Sequence, residues 1–150
     1  MAGFNSSAGS MGRMLLIAFL VVSIGSGCAR SQNVGSAVYV TRQDYSIEHQ
    51  NGNIQGLFCD LPDNHNPYAC ESDYWVAYSV SLNPPMSMSL CGQCLQITND
   101  DGGASVKACI LDKKAAAGLD LDTPGFNALD TDGQGNANGH MYCTVSFVSC

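Results

Sequence analysis

Three aspartates in one short stretch are the residues of this sequence best suited to chemistry. The stretch is ILDKKAAAGLDLDTPGFNAL, residues 110–129, in which Asp112 follows an apolar run and Asp120 and Asp122 lie on either side of Leu121. Carboxyl groups act as general acids or bases and accept hydrogen bonds from hydroxyl groups. Aspartate also caps helices and lies on solvated turns. The residues alone therefore allow either a catalytic or ligand-binding set or a turn followed by a helix cap.

Segments typical of β-strands precede and follow these aspartates. β-branched and aromatic residues are frequent in five runs, and apolar and polar residues alternate most clearly in the last of them. The linker at residues 99–103 contains Asp-Gly and predicts a hairpin between the third and fourth runs. The predicted strands are residues 37–41, 74–82, 94–98, 105–111 and 141–148.

A single helix is indicated directly behind the last two aspartates. Thr123 is the predicted N-cap and Pro124 the first helical residue, which suggests about two turns. Because strands outnumber helices, the pattern predicts a small all-β barrel that carries one short helix.

The first residues of the chain predict secretion. Residues 14–24 read MLLIAFLVVSI, with Arg13 before them and small residues behind. This run is too short to span a bilayer and is typical of a secretory signal peptide. Cleavage after Gly27 or after Ser31 fits equally well. We therefore expect residues 1–27, or a few more, to be removed, and a secreted domain of about 120 residues with no membrane segment to remain.

Eight cysteines in a secreted chain predict disulfides, whose connectivity the spacing does not determine. The CGQC motif at residues 91–94 lacks the flanking strand and helix pattern of a redox pair, which favours structural bridging. The disulfide candidates are Cys28, Cys59, Cys70, Cys91, Cys94, Cys109, Cys143 and Cys150.

The charge balance limits the class of partner. The chain has a formal net charge of −7, and loss of Arg13 with the signal makes it more acidic. An acidic surface disfavours nucleic acid and anionic lipid. It is compatible with a neutral polysaccharide or with a basic protein, and we expect a monomer.

One segment has the opening of a calcium-binding loop. Asp130, Asp132 and Gln134 stand at alternate positions, and Gly135 occupies the sixth. The twelfth position requires a bidentate glutamate, but Met141 stands there. We therefore predict a flexible loop, and we expect neither a metal site nor a cofactor.

Four motifs together resemble a known family. They are ACESDYWVAYSVSL at 69–82, the pair CGQCLQITND and ASVKACILD within 91–112, GLDLDTPGFNAL at 118–129 and the closing strand at 141–148. Their order and spacing resemble those of secreted double-psi β-barrel proteins, which include barwin-like proteins, the first domain of expansins and the loosenins. The resemblance implies a mainly β, six-stranded double-psi β-barrel over residues 36–150, with one or two short helices and disulfide staples.

The resemblance also implies a site. In the family one aspartate ends a strand and a second opens the helix, both in an open groove, and Asp112 and Asp120 take these positions here. Asp122 takes the place of a serine, as a cap requires. Expansins carry a functional threonine on the first strand; this chain has Val38 there, and Thr41 is the nearest hydroxyl.

Aromatic and basic residues complete the list of candidates. Tyr39, Trp75 and Tyr78 are candidate platforms for sugar rings, although a barrel this small will bury about half of its aromatic residues. Lys113 and Lys114 either pair with Asp112 or are exposed. The histidines lie in polar segments without ligand spacing and are expected at the surface.

The function implied by the resemblance is binding of a cellulose-like or chitin-like polysaccharide and its loosening without hydrolysis, with Asp120 central and Asp112 beside it. Two alternatives stay open. One is a barwin-like protein-binding module or protease inhibitor. The other is an endoglucanase of the same barrel, with Asp120 as general acid and Asp44 as base, although the residues around Asp44 match poorly.

Overall fold

The computed structural model describes residues 32–45, 53–61, 70 and 72–150. The predicted signal sequence, residues 1–27, and the disulfide candidate Cys28 lie outside these residues. Across the described ranges, no helix has both the length and the apolar character needed to cross a membrane.

Six strands of the described chain close into one barrel in the order β1-β5-β2-β4-β3-β6. β1 runs parallel to β5, and β2 runs parallel to β4, whereas the other neighbours are antiparallel. The strands are β1 Gln32–Gln43, β2 Tyr74–Ser79, β3 Cys94–Asn99, β4 Ser105–Lys114, β5 Leu119–Asp122 and β6 His140–Val148. The helices are α1 Thr123–Leu129 and α2 Gln134–Asn138, and a 3-10 turn covers Met88–Leu90. The predicted barrel is confirmed.

Alternation of side chains fills the barrel. On β1, Val38 and Val40 are buried, and on β5 Leu119 and Leu121 have no exposed surface. β2 differs because Trp75 to Ser79 are all buried, so both of its faces are covered. A strand whose two faces are both covered consists almost entirely of apolar residues, as β2 does.

The strand that the sequence pattern missed is β5. Its four residues, LDLD, fall in none of the predicted strands. They form hydrogen-bonded pairs with β1 on one side and β2 on the other. A run of four residues is too short for alternation to be distinguished from a helix start. The helix boundary is also one residue off, since Asp122 is the N-cap and Thr123 is already helical.

The predicted flexible loop is wrong, because it contains helix α2. Asp130 at its start is buried. Its Oδ1 accepts a hydrogen bond from Gly135 N and its Oδ2 accepts from Asn136 N and Nδ2, each at 2.7 Å. Burial tends to raise the pKa of this carboxyl, but these hydrogen bonds outweigh burial and lower it. The carboxylate therefore orders the segment, and the described residues contain no cluster of three or more potential metal ligands.

Among the described residues, three disulfides staple the loops to the barrel. The cysteines of CGQC bind different partners, which agrees with structural bridging. Cys143 is free and fully buried, so its assignment as a disulfide candidate is wrong. It points inward from β6 between Met141 and Val145 and packs as an apolar residue. The bridges are Cys59–Cys91, Cys70–Cys109 and Cys94–Cys150.

Stability should fall at alkaline pH because three buried groups, Cys143, Tyr45 and Tyr78, resist ionisation in the fold. Burial, with smaller contributions from Asp100 and Asp101, raises the pKa of Cys143 from 9.0 to about 12. Burial also raises the pKa of Tyr78 from 10.0 to about 12. The unfolded chain loses these protons first. The contribution of these groups to the free energy of unfolding should therefore be constant below about pH 9 and decline as pH rises toward about 12.

Guanidinium unfolding at a series of pH values checks this expectation. The Cys143→Ala variant should shift the onset of the decline from about pH 9 to about pH 10, where only tyrosine ionisation remains. Identical pH profiles for the two proteins would contradict the assignment to Cys143.

Candidate functional site

Hydrogen-bonded register places five residues in one line across five strands. Thr41 on β1 pairs with His140 on β6 and with Asp120 on β5. Ala77 on β2 pairs with Asp120 on one side and with Asp112 on β4 on the other. We call the line His140, Thr41, Asp120, Ala77 and Asp112 the carboxylate row. Neighbouring strands lie about 4.8 Å apart, so the backbones of Asp112 and Asp120 are separated by about 10 Å.

A register irregularity brings Asp112 into this row. Val76 on β2 pairs with Ile110, and Ala77 pairs with Asp112, with the shift between them. An uninterrupted parallel register would place Leu111 opposite Ala77. Because successive residues of a strand point to opposite faces, one extra residue decides whether a leucine or a carboxylate stands there.

Asp120 is held by two polar side chains. Lys114 Nζ lies 2.6 Å from Asp120 Oδ1 and 2.6 Å from Thr41 Oγ1. The Thr41 hydroxyl also donates a hydrogen bond to Asp120 Oδ1. The third ammonium donor reaches the carbonyl oxygen of Leu119 at 3.2 Å. The side chain of Lys114 is only 9% exposed, and that of Asp120 is 24% exposed. This Lys114–Thr41–Asp120 triad is thus a fixed polar centre at the barrel surface.

Asp112 has a different set of partners. Its Oδ1 accepts from Phe58 N at 3.0 Å, and its Oδ2 accepts from the Tyr45 hydroxyl at 3.2 Å. Burial, and then the charge of Asp112, raise the pKa of Tyr45 well above its usual range. The hydroxyl therefore stays protonated and donates. The aspartates share a row, but each has its own partners.

The lysines next to Asp112 do not pair with it. Lys114 pairs with Asp120, as described. Lys113 Nζ lies 4.6 Å from the centroid of the Phe58 ring, in cation-π geometry. The sequence predicted that Lys114 would either pair with Asp112 or be exposed. Both expectations are wrong for Lys114.

The aromatic candidates separate into surface and core residues. Tyr39 is 38% exposed and lies next to the row. Tyr78 has no exposed surface and Trp75 keeps 7%, because both faces of β2 are covered. The prediction that Trp75 and Tyr78 bind substrate is therefore wrong. Trp75 instead contacts Tyr45, with the ring centroids 6.4 Å apart.

Comparison with known proteins agrees with this architecture. Residues 32–150 match the model of the Barwin family. The chain belongs to the Barwin family. Among solved structures, cerato-platanin 3 from M. perniciosa is similar, with a TM-score of 0.56 and 22% sequence identity, over 75% of this chain and 93% of that one.

A second similar structure is a mutant expansin of Clavibacter michiganensis in complex with cellohexaose. Its TM-score is 0.52 at 23% sequence identity, and the match covers 75% of this chain. The barwin-family chain matches only 50% of the expansin chain. At these identities the two structures establish a shared fold.

Three residues of this barwin-family site were not predicted from the sequence. Lys114 lies at the end of β4, and nothing in the sequence around it indicates that its ammonium group pairs with Asp120. His140 was expected at the surface without a role, yet it occupies the row. Tyr142, 47% exposed, could have been found, because it alternates with the buried Met141 on β6.

Asp122 has a structural role in the barwin-family barrel. It is 1% exposed, its Oδ1 accepts from Gly125 N at 2.9 Å, and its Oδ2 accepts from Trp75 N at 2.9 Å. The carboxylate thus caps α1 and ties it to β2. Asp122 is the helix cap that the resemblance implied, and the prediction of Thr123 as N-cap is wrong.

Asp122→Ala should destabilise the protein by about 2–4 kcal/mol, because it removes a helix cap and leaves the buried N–H of Trp75 without its acceptor. Asp122→Asn should cost less, since its amide oxygen can still accept one of the two hydrogen bonds. Denaturant unfolding measures both. A loss below about 1 kcal/mol for Asp122→Ala would contradict the dual role.

Proposed function

We propose that this protein is secreted, binds a β-linked cell-wall polysaccharide along the carboxylate row and loosens its packing without cutting it. The observation that carries the proposal is the Lys114–Thr41–Asp120 triad. It holds a carboxylate in place at a partly exposed position, next to the exposed ring of Tyr39. Fixed acceptors beside an aromatic ring match the hydroxyl groups and the C–H face of a pyranose.

The chemistry of binding follows from the unequal use of the two oxygens of Asp120. Oδ1 receives hydrogen bonds from Thr41 and Lys114. No described residue donates to Oδ2. Sugar hydroxyls donate readily to carboxylates, and charge-assisted hydrogen bonds are stronger than neutral ones. Asp120 therefore anchors one sugar unit, and the triad prevents its carboxylate from turning away.

Several features favour loosening over hydrolysis. Inversion requires a protonated carboxyl and an ionised one about 6.5–9.5 Å apart. Asp120 lies in an ion pair with Lys114, and both oxygens of Asp112 already accept hydrogen bonds. Asp44, the candidate base, lies beyond the end of β1 and is exposed. The described carboxylates of the row thus offer hydrogen bonding, and none is arranged as a free general acid.

The comparisons support the class of ligand. The Clavibacter michiganensis expansin was solved with cellohexaose, a β-linked glucan fragment. Its barrel shares the fold of this chain, although the chain matches only half of it. From that expansin we carry over to this protein only the class of ligand, a β-linked polysaccharide of the cellulose or chitin type. A disulfide-rich barwin-family barrel also fits an extracellular location.

Asp120→Asn should weaken binding to insoluble cellulose or chitin about tenfold or more and abolish loosening of wall material. It should also lower stability, because the largely buried ammonium of Lys114 loses its counter-charge, so binding is measured under conditions in which the variant is folded. The neutral amide keeps the size of the side chain but loses the charge-assisted hydrogen bond, which is worth about 1.5–3 kcal/mol. Sedimentation binding and wall extension under load measure the two effects. Asp73→Asn, the same change at an exposed aspartate outside the row, is the matched control.

Each rival function has its own outcome in the same experiments. Undiminished binding and loosening by a folded Asp120→Asn variant would refute the site. Wild-type protein that stays in the supernatant with both polymers would favour the protein-binding module or inhibitor. Release of reducing sugar that vanishes in both Asp120 and Asp44 variants would establish the endoglucanase.

A further inference from the structure

A recess at the surface continues the carboxylate row beyond strand β6. It lies between the β3–β4 hairpin loop, helix α2 and β6. His140 belongs to the carboxylate row and to the recess, since it pairs with Thr41 in the row and also lines the recess. The residues that line the recess include Asp101, Asp132, Gln134, Asn138, His140 and Tyr142.

Tyr142 gives the recess an aromatic wall that is held in place. The ring meets Tyr39 edge to face at 5.9 Å and His140 edge to face at 5.5 Å. Nearly half of its surface is exposed. Tyr39 itself is stacked on His140 at 4.7 Å and has Lys114 Nζ 5.9 Å from its ring. Tyr142 is therefore the more accessible platform of the two, and its neighbours reduce the entropy that it would lose on binding.

Two polar side chains of the recess, Asp132 and His140, are held by the backbone. Asp132 Oδ1 accepts from Gln134 N at 3.0 Å, and a hydrogen bond of 3.1 Å joins His140 Nδ1 and the carbonyl oxygen of Asn138. Asp101 N donates to Asn99 Oδ1 at 3.1 Å, which holds the hairpin loop. The side-chain amides can both donate and accept, and the carboxylates accept, so together they match the hydroxyl pattern of a sugar.

The charge of the recess narrows the class of sugar. Asp101 and Asp132 line it, and no lysine or arginine is among the described residues that line it. A uronic acid would meet these carboxylates with like charge. An uncharged pyranose meets no such repulsion and can place its C–H face on Tyr142.

We propose that the recess is a second sugar-binding subsite, which takes an uncharged pyranose unit from the same polysaccharide chain that crosses Asp120. That the ligand is part of a polysaccharide rests on the proposed function. From Asp112 to His140 the row spans four strand spacings, about 19 Å. A short oligosaccharide cannot contact Asp112, Asp120 and the recess together, whereas a longer one can. Binding should therefore strengthen with chain length.

The experiment compares cellotriose, cellohexaose, the hexamer of N-acetylglucosamine and hexagalacturonate as probes, by calorimetry and by amide chemical-shift mapping. The preferred neutral hexamer should perturb residues 132–142 as well as residues 112–120, and hexagalacturonate should perturb neither. Tyr142→Ala should weaken hexamer binding about 3- to 10-fold and reduce its advantage over the trimer. Tyr142→Phe should bind as the wild type does, because it keeps the ring.

Controls separate this inference from the proposed function. Met88→Ala removes an equally exposed apolar side chain elsewhere and should change nothing. Shifts confined to residues 112–120, with Tyr142→Ala binding normally, would overturn the subsite and leave the proposed function intact. Shifts confined to 132–142 that persist in Asp120→Asn would support the recess and overturn the central role of Asp120. No shifts with any probe would overturn both.

Discussion

The site depends on one register irregularity between two parallel strands. Between Val76 and Ala77 the pairing of β2 with β4 shifts, and Asp112 instead of Leu111 comes to stand opposite Ala77. On the other edge of β2, the antiparallel neighbour β5 presents Asp120 to the same alanine. Because successive side chains of a strand point to opposite faces of the sheet, only every second residue of a regular β4 could face the row. The shift therefore allows β4 to bury Ile110 and Leu111 and still present a carboxylate to the row.

The Lys114–Thr41–Asp120 triad is better understood as a device for geometry than as a source of stability. Removing an ammonium and a carboxylate from water costs much of what their attraction returns, so a largely buried pair contributes little net free energy. Its value is that three ammonium donors meet three oxygens, which leaves the carboxylate one orientation. A preorganised acceptor does not lose that conformational freedom again on binding.

Much of the fold could be predicted, and the errors have physical causes. Long alternating or β-branched runs marked five strands correctly, whereas β5 has four residues and too little pattern to be recognised. Tyr78 and Cys143 were misassigned because residue type indicates what a side chain can do and says nothing of the face on which it lies. The prediction of a flexible loop at Asp130 is wrong because two of the three hydrogen-bond donors to its carboxylate are backbone N–H groups, which no sequence motif displays.

The sequence by itself determined the all-β character, the inward and outward faces of the last strand and the use of most cysteines in structural disulfides. These properties are local, or follow from composition and period. Only the tertiary structure decided which polar groups meet: Thr41 contacts Asp120 across 79 residues of sequence, and Tyr45 contacts Asp112 across 67. Such contacts depend on hydrogen-bonded register between distant strands. Register is a property of the closed barrel, so no single segment specifies it.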